Sequence, residues 1–145
     1  MSRGVLIADT SALFAGMTDT HPAGKRIRDL ILDADAPPIV SPMVMAELDY
    51  LVSTRLGGQA SLTVLDELTG GAYEVAAIAL SDLIEAREVV AQYIDMNVGL
   101  TDAVNVILAA RVGTDAMLTL DERHFRALRP RGDRFSAFRV LPADS

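Results

Sequence analysis

The stretch "VLIADTSALF", residues 5–14, decides the architecture. Val5 to Ala8 are apolar without alternation, and residues 4–8 read as a strand buried on both faces. Asp9 follows at once, then Thr10 and Ser11, then apolar residues again. A buried strand that runs into a carboxylate has two readings. Asp9 is a helix cap, or it belongs to a charged site at the C-terminal end of a parallel sheet, where open α/β sheets place their ligands.

The rest of the chain supplies such a sheet. His21–Ala34 has a helical period, with Ile27, Leu30 and Ile31 on one face. "APPIVSP" predicts a turn and a very short second strand. Ser41 has the chemistry of an N-cap and Pro42 that of a first helical residue, and this helix runs to Gly57-Gly58. "QASLTVLDELT" predicts another helix, ended by Gly70-Gly71, and "AYEVAAI" a third strand. Ser81 is expected to cap "DLIEAREVVAQYID", and Thr101 to open "DAVNVILAARVG". "AMLTL" is a fourth strand, "DERHFRAL" a short helix and "FRVL" a final edge strand, with "RPRGDR" as a loop. Strands alternating with one or two helices call for an α/β fold with a parallel sheet covered on both faces.

Composition narrows the chemistry. The 145 residues suit one domain, residues 1–145, large enough to bury a core without staples. There is no cysteine, which excludes disulfides, thiolate zinc sites and a cysteine nucleophile, and fits a reducing cytoplasm. No signal peptide or membrane-length apolar run is visible. The net charge of -7 argues against a nucleic-acid partner, but its distribution does not. Arg123, Arg126, Arg129, Arg131, Arg134 and Arg139 share one C-terminal stretch in which Asp133 is the only acid between them, and Lys25, Arg26 and Arg28 form a smaller group. Either cluster is a solubilising surface or a phosphate-binding strip.

Four acids stand out. Asp9 and Asp121 end two strands that a parallel sheet brings to one edge, although each is also placed to cap a helix. Glu47 lies too deep in its helix for a capping box, and its helical neighbours Met43, Val44, Tyr50 and Leu51 have no basic group to offer it. A carboxylate on such a face needs a partner, a metal or a cleft. Asp102 is a first-turn acid on a helix that is otherwise apolar through "VILAA". Asn105 shares its face, as a second polar member of the site or, the preferred reading, as a satisfied core amide. Two carboxylates about 4 Å apart repel by about 4 kcal/mol at an effective dielectric near 20, so four together need protons or a cation. Hard oxygen ligands without histidine or cysteine favour magnesium or manganese over zinc, and their chemistry suits phosphodiester hydrolysis.

The ordered set "VLIADTSALF", "VSPMVMAELDYL", "VGLTDAVNVILAAR" and "MLTLDERHF" resembles PIN-domain ribonucleases of the VapC toxin type. The resemblance implies a three-layer α/β/α sandwich with a short central parallel sheet. It implies a Mg2+- or Mn2+-dependent endoribonuclease, the toxin of a toxin–antitoxin pair, as a homodimer with a VapB-like antitoxin whose C-terminal segment blocks the site. It makes Asp9, Glu47, Asp102 and Asp121 the metal-site acids, with Asp9 and Asp102 as direct ligands and the other two bound directly or through water. Thr10, Ser11 and Thr119 match small hydroxyl positions beside the site and are equally well placed as turn or strand residues.

His124 is expected to pack beside Phe125 rather than act in the site. Arg123, Arg126, Arg129, Arg131 and Arg134 are the candidate RNA-binding strip. Two enzymatic rivals fit less well. A phospho-receiver needs a lysine at the acidic edge, and the chain's one lysine is Lys25. A haloacid-dehalogenase-type phosphatase needs a second Asp where Ser11 stands. An inactive PIN-like adaptor that binds a basic peptide or RNA remains the alternative.

Overall fold

The computed structural model describes residues 4–145. Among these, strands β1 (Ile7–Ala8), β2 (Ile39–Val40), β3 (Glu74–Val75), β4 (Ala116–Leu118) and β5 (Arg139–Leu141) form one sheet in the order β3-β2-β1-β4-β5. Every pairing is parallel, with Ile7 opposite both Ile39 and Met117. Parallel neighbours cannot be joined by tight turns, so each connection carries helices across a face. These are α1 (Thr10–Thr18) and α2 (Gly24–Asp33), α3 (Pro42–Leu56) and α4 (Gly58–Thr69), α5 (Leu80–Gln92) and α6 (Leu100–Val112), and the short α7 (Glu122–Ala127).

Successive strand residues point to opposite faces, which divides the core in two. Ala8, Val40, Leu118 and Leu141 pack with Leu13, Ile27, Leu48 and Val64 of α1 to α4. Ile7, Ile39, Met117 and Val140 pack with Val89, Val104, Leu108 and Phe125 of α5 to α7. The α/β/α sandwich is therefore present as the family resemblance implies. No helix among the described residues is long and apolar enough to cross a membrane.

Local chemistry explains most element ends. The Ser41 hydroxyl accepts the Val44 amide at 3.1 Å and Pro42 occupies the first turn, as the sequence predicts. Gly57, at φ +92°, turns α3 directly into α4 with no intervening loop. Three expectations need correction. Ser81 does not cap α5: the helix starts at Leu80 after Ala79, two residues earlier than that cap would put it, and the Asp82 carboxylate accepts the Ala79 amide at 2.8 Å. Thr101 does not open α6, which follows Gly99 and begins at Leu100, so its hydroxyl is free for the site. Of "AYEVAAI" only Glu74 and Val75 pair as a strand, and both are exposed at the sheet edge. Helix α1 gives no periodic signal because it is buried on almost every side, at Thr10 and from Ala12 to Gly16.

Candidate active site: a carboxylate cleft at the end of the sheet

Four segments meet beyond the C-terminal ends of β1 and β4. Asp9 leaves β1, Glu47 sits in α3, Asp102 in the first turn of α6, and Asp121 between β4 and α7. All four line one cleft of about 440 Å³, together with Thr10, Ser11, Thr101 and His124. Among the described residues no lysine or arginine pairs with any of these acids.

Asp9 answers the question its position raises. It is the N-cap residue of α1, yet its side chain makes no capping bond. The carboxylate turns inward instead, accepting the Thr119 hydroxyl at 2.8 Å and the Asn105 amide at 3.4 Å. It is 5% exposed. Burial first, then the charge of Asp102, pushes this carboxyl up to about 6, against the bonds from Thr119 and the Thr10 backbone. Asn105 is wholly buried, and its Oδ1 has no hydrogen-bond partner among the described residues. It is a core amide that also touches a site acid, but not the satisfied one that the sequence favours, since only its Nδ2 is bonded.

A single hydroxyl organises the floor. Thr119 Oγ1 has one proton, and that proton goes to Asp9. Ser11, 3.2 Å away, must then donate to Thr119 and accept the Leu120 amide at 2.9 Å. Thr119 also accepts the Asp121 amide at 2.9 Å. The hydroxyls thus tie the ends of β1 and β4 together and aim one donor at Asp9.

Glu47 is held by two other hydroxyls. Thr10 donates to Oε1 and Thr101 to Oε2, each at 2.8 Å. The sequence places Glu47 among apolar helical neighbours, but the carboxylate itself is exposed to the cleft. Asp121 does cap α7, through Oδ1 and the His124 amide at 3.3 Å, while its Oδ2 lies 3.2 Å from His124 Nδ1. That same ring nitrogen lies 2.8 Å from Asp102 Oδ2. Burial raises the Asp102 carboxyl above its ordinary value, with Asp121 and Glu47 adding to this and His124 opposing it.

His124 therefore points into the cleft, contrary to the expectation that it packs with Phe125. Its place three residues after Asp121 on a helix was the available signal. Phe125 instead points to the core and meets Phe138 edge to face at 6.0 Å. Thr101 is the other residue that the sequence reading missed as a site member. One ligand atom from each of Asp102, Asp121 and His124 lies within 4.8 Å of the others. Oxygen donors, one imidazole and uncompensated negative charge are a donor set that fits a divalent cation.

The arginines are dispersed by their partners. Arg126 is held by both oxygens of Asp144, at 2.6 and 2.7 Å, and reaches Glu122. Arg131 pairs with Glu88 at 3.2 Å, and Arg134 lies over the Phe135 ring at 5.1 Å. Arg123 and Arg129 are exposed.

The model of the PIN domain family matches residues 6–129. The chain belongs to the PIN domain family. This PIN domain is 45% identical over 137 residues to ribonuclease VapC26 of Mycobacterium tuberculosis, a match that covers 94% of this chain and 100% of that protein. Among solved structures it resembles the sarcin–ricin-loop-cleaving toxin VapC20 of the same organism, with a TM-score of 0.76 at 15% identity over 90% of this chain and 98% of that one. It also resembles VapBC2 of Rickettsia felis bound to a promoter DNA fragment, with a TM-score of 0.67 at 14% identity over 94% and 98% of the two chains.

Proposed function

We propose that this PIN domain is the ribonuclease toxin of a toxin–antitoxin pair, acting in the cytoplasm as a Mg2+- or Mn2+-dependent endoribonuclease. The observation that carries the reading is the convergence of Asp9, Glu47, Asp102 and Asp121 in one cleft where, among the described residues, no lysine or arginine pairs with them. The close relative named as a ribonuclease, and relatives solved as VapBC assemblies, support it.

Asp9, Glu47, Asp102 and Asp121 would hold the cation, directly or through water. When bound, a divalent cation supplies charge neutralisation at the phosphate oxygens and acidifies a water. The chain's own groups do the rest. Thr10 and Thr101 fix both oxygens of Glu47, leaving a solvent-facing carboxylate that can accept a proton from an attacking water. Thr119 and Asn105 hold Asp9 as a fixed buried charge. The exposed Arg123, two residues beyond Asp121, is the candidate phosphate contact nearest the acids in the chain, with the exposed Arg129 and Arg134 as further candidates away from them. A VapB-like antitoxin and a second copy of the chain are the expected partners.

The test is cleavage of RNA by purified protein with Mg2+, Mn2+ or chelator, with 5′ ends mapped. Metal-dependent cuts that vanish on Asp9→Asn or Asp102→Asn are expected. Binding without cleavage in every metal tested would favour the adaptor instead.

A further inference from the structure

His124 is a site group for which the four-acid pattern has no use. Its Nδ1 stands between two carboxylates, 2.8 Å from Asp102 Oδ2 and 3.2 Å from Asp121 Oδ2. Donor atoms that share a small divalent cation with bonds near 2.1 Å are about 3.0 Å apart when adjacent, and both His124 contacts have that spacing, while the three ligand atoms all lie within 4.8 Å of one another. The backbone that carries the imidazole is also well anchored. The His124 amide donates to Asp121 Oδ1, and the next residue, Phe125, is 1% exposed against Phe138.

We propose that His124 Nδ1 is a ligand of the divalent cation, with Asp102 and Asp121 as its oxygen partners, and that it biases the site toward Mn2+ over Mg2+. The proposal rests on the metal-dependent reading above. The preference follows from ligand chemistry: a neutral imidazole suits a transition metal, whereas Mg2+ is best served by oxygen donors and keeps its waters. To ligate, the ring gives up its Nδ1 proton and carries it on Nε2, and the cation replaces the hydrogen bond to Asp102.

The chain has one other histidine, His21, whose Nδ1 accepts the Ala23 amide at 3.0 Å at an exposed turn. That makes a spectroscopic test clean. Pulsed electron paramagnetic resonance of the Mn2+-loaded full chain should show imidazole nitrogen coupling. The coupling should change with 15N-histidine, persist in His21→Ala and disappear in His124→Asn, which keeps a side-chain donor for Asp102. Calorimetry should find Mn2+ affinity lowered about tenfold or more in His124→Asn, as loss of a metal-supporting group commonly does, with Mg2+ affinity little changed. Wild-type protein that binds Mn2+ without nitrogen coupling overturns the proposal and leaves the metal-dependent reading standing. Equal weakening of Mn2+ and Mg2+ also overturns it, because His124 would then only position Asp102. Failure of wild type to bind either ion overturns both.

Discussion

The substitution Asp9→Asn in cation-free protein tests the electrostatics of the cleft directly. Asp9 is 5% exposed, and its carboxyl is lifted from 3.8 to about 6. At about 1.36 kcal/mol per pH unit, that lift corresponds to about 3 kcal/mol of destabilisation of the folded state once Asp9 is ionised. The direction follows from proton counting. The folded chain holds this proton more tightly than the unfolded chain, so acidification favours folding. The benefit is complete below the unfolded value of 3.8 and is lost as pH rises through about 6. Asp102, also raised, acts in the same direction. Asp82 and Asp144 are lowered, Asp144 to about 2, so their support is lost only when pH falls below the ordinary carboxylate range. Wild type in chelator should therefore be most stable well below neutrality, at about pH 4–5.

Asparagine removes the charge while keeping the shape. Its new amide group meets Asn105, whose buried Oδ1 lacks a partner and can accept it after the Asn105 amide turns over. At pH 7 the variant should gain up to about 3 kcal/mol, which at about 2–4 °C per kcal/mol is a rise in Tm of several degrees. Its pH dependence between 4 and 7 should flatten. Added Mn2+ should stabilise wild type more than the variant, since binding to the folded state alone raises stability by linkage. The assay is thermal and urea unfolding across pH, with and without chelator, beside carboxyl NMR titration of Asp9. A variant less stable than wild type at pH 7 in chelator, with an unchanged pH profile, would show that burial and charge do not strain Asp9 as described.

Three other perturbations probe different layers. Thr119→Val removes the donor to Asp9 and leaves the Asp121 amide and Ser11 hydroxyl without their acceptor; with Thr119 only 1% exposed, a loss of about 1–3 kcal/mol per stranded group is expected in urea unfolding, and the Asp9 carboxyl should titrate higher still. Leu48→Ala, at a fully buried position beside Glu47 on α3, should cost about 2–5 kcal/mol by the same measurement and loosen the helix that carries the acid. For RNA binding by a cleavage-dead protein, replacing Arg123, Arg129 and Arg134 with Ala should lower the salt slope by about 0.7 for each phosphate no longer neutralised; replacing Arg126 and Arg131, which already have carboxylate partners, should change it far less.

The alternation of strands and helices and the four acids are legible in the linear sequence. Those features are local: an apolar run ending in Asp9 or Asp121, and Glu47 without a basic neighbour, need only residue order to be seen. Local pattern also specified the Ser41 cap and the Pro42 start, because a cap is a contact over three residues. It was silent on α1, since periodicity reports the contrast between a wet and a dry face and α1 has little wet face. What each acid does is settled by tertiary packing. Asp9 and Asp121 occupy equivalent N-cap positions, yet Asp121 caps its helix and Asp9 does not, because Thr119 and Asn105, 110 and 96 residues away in sequence, reach Asp9 in space. Thr101 serves Glu47 across 54 residues, and Arg126 is drawn to Asp144 by the return of the chain after β5. His124 could be placed only with α6 and α7 in position, since the choice between core and cleft depends on which side of a six-residue helix Phe138 fills. Side-chain partners separated by long stretches of chain are set by how the layers pack, and packing is a property of the whole sandwich.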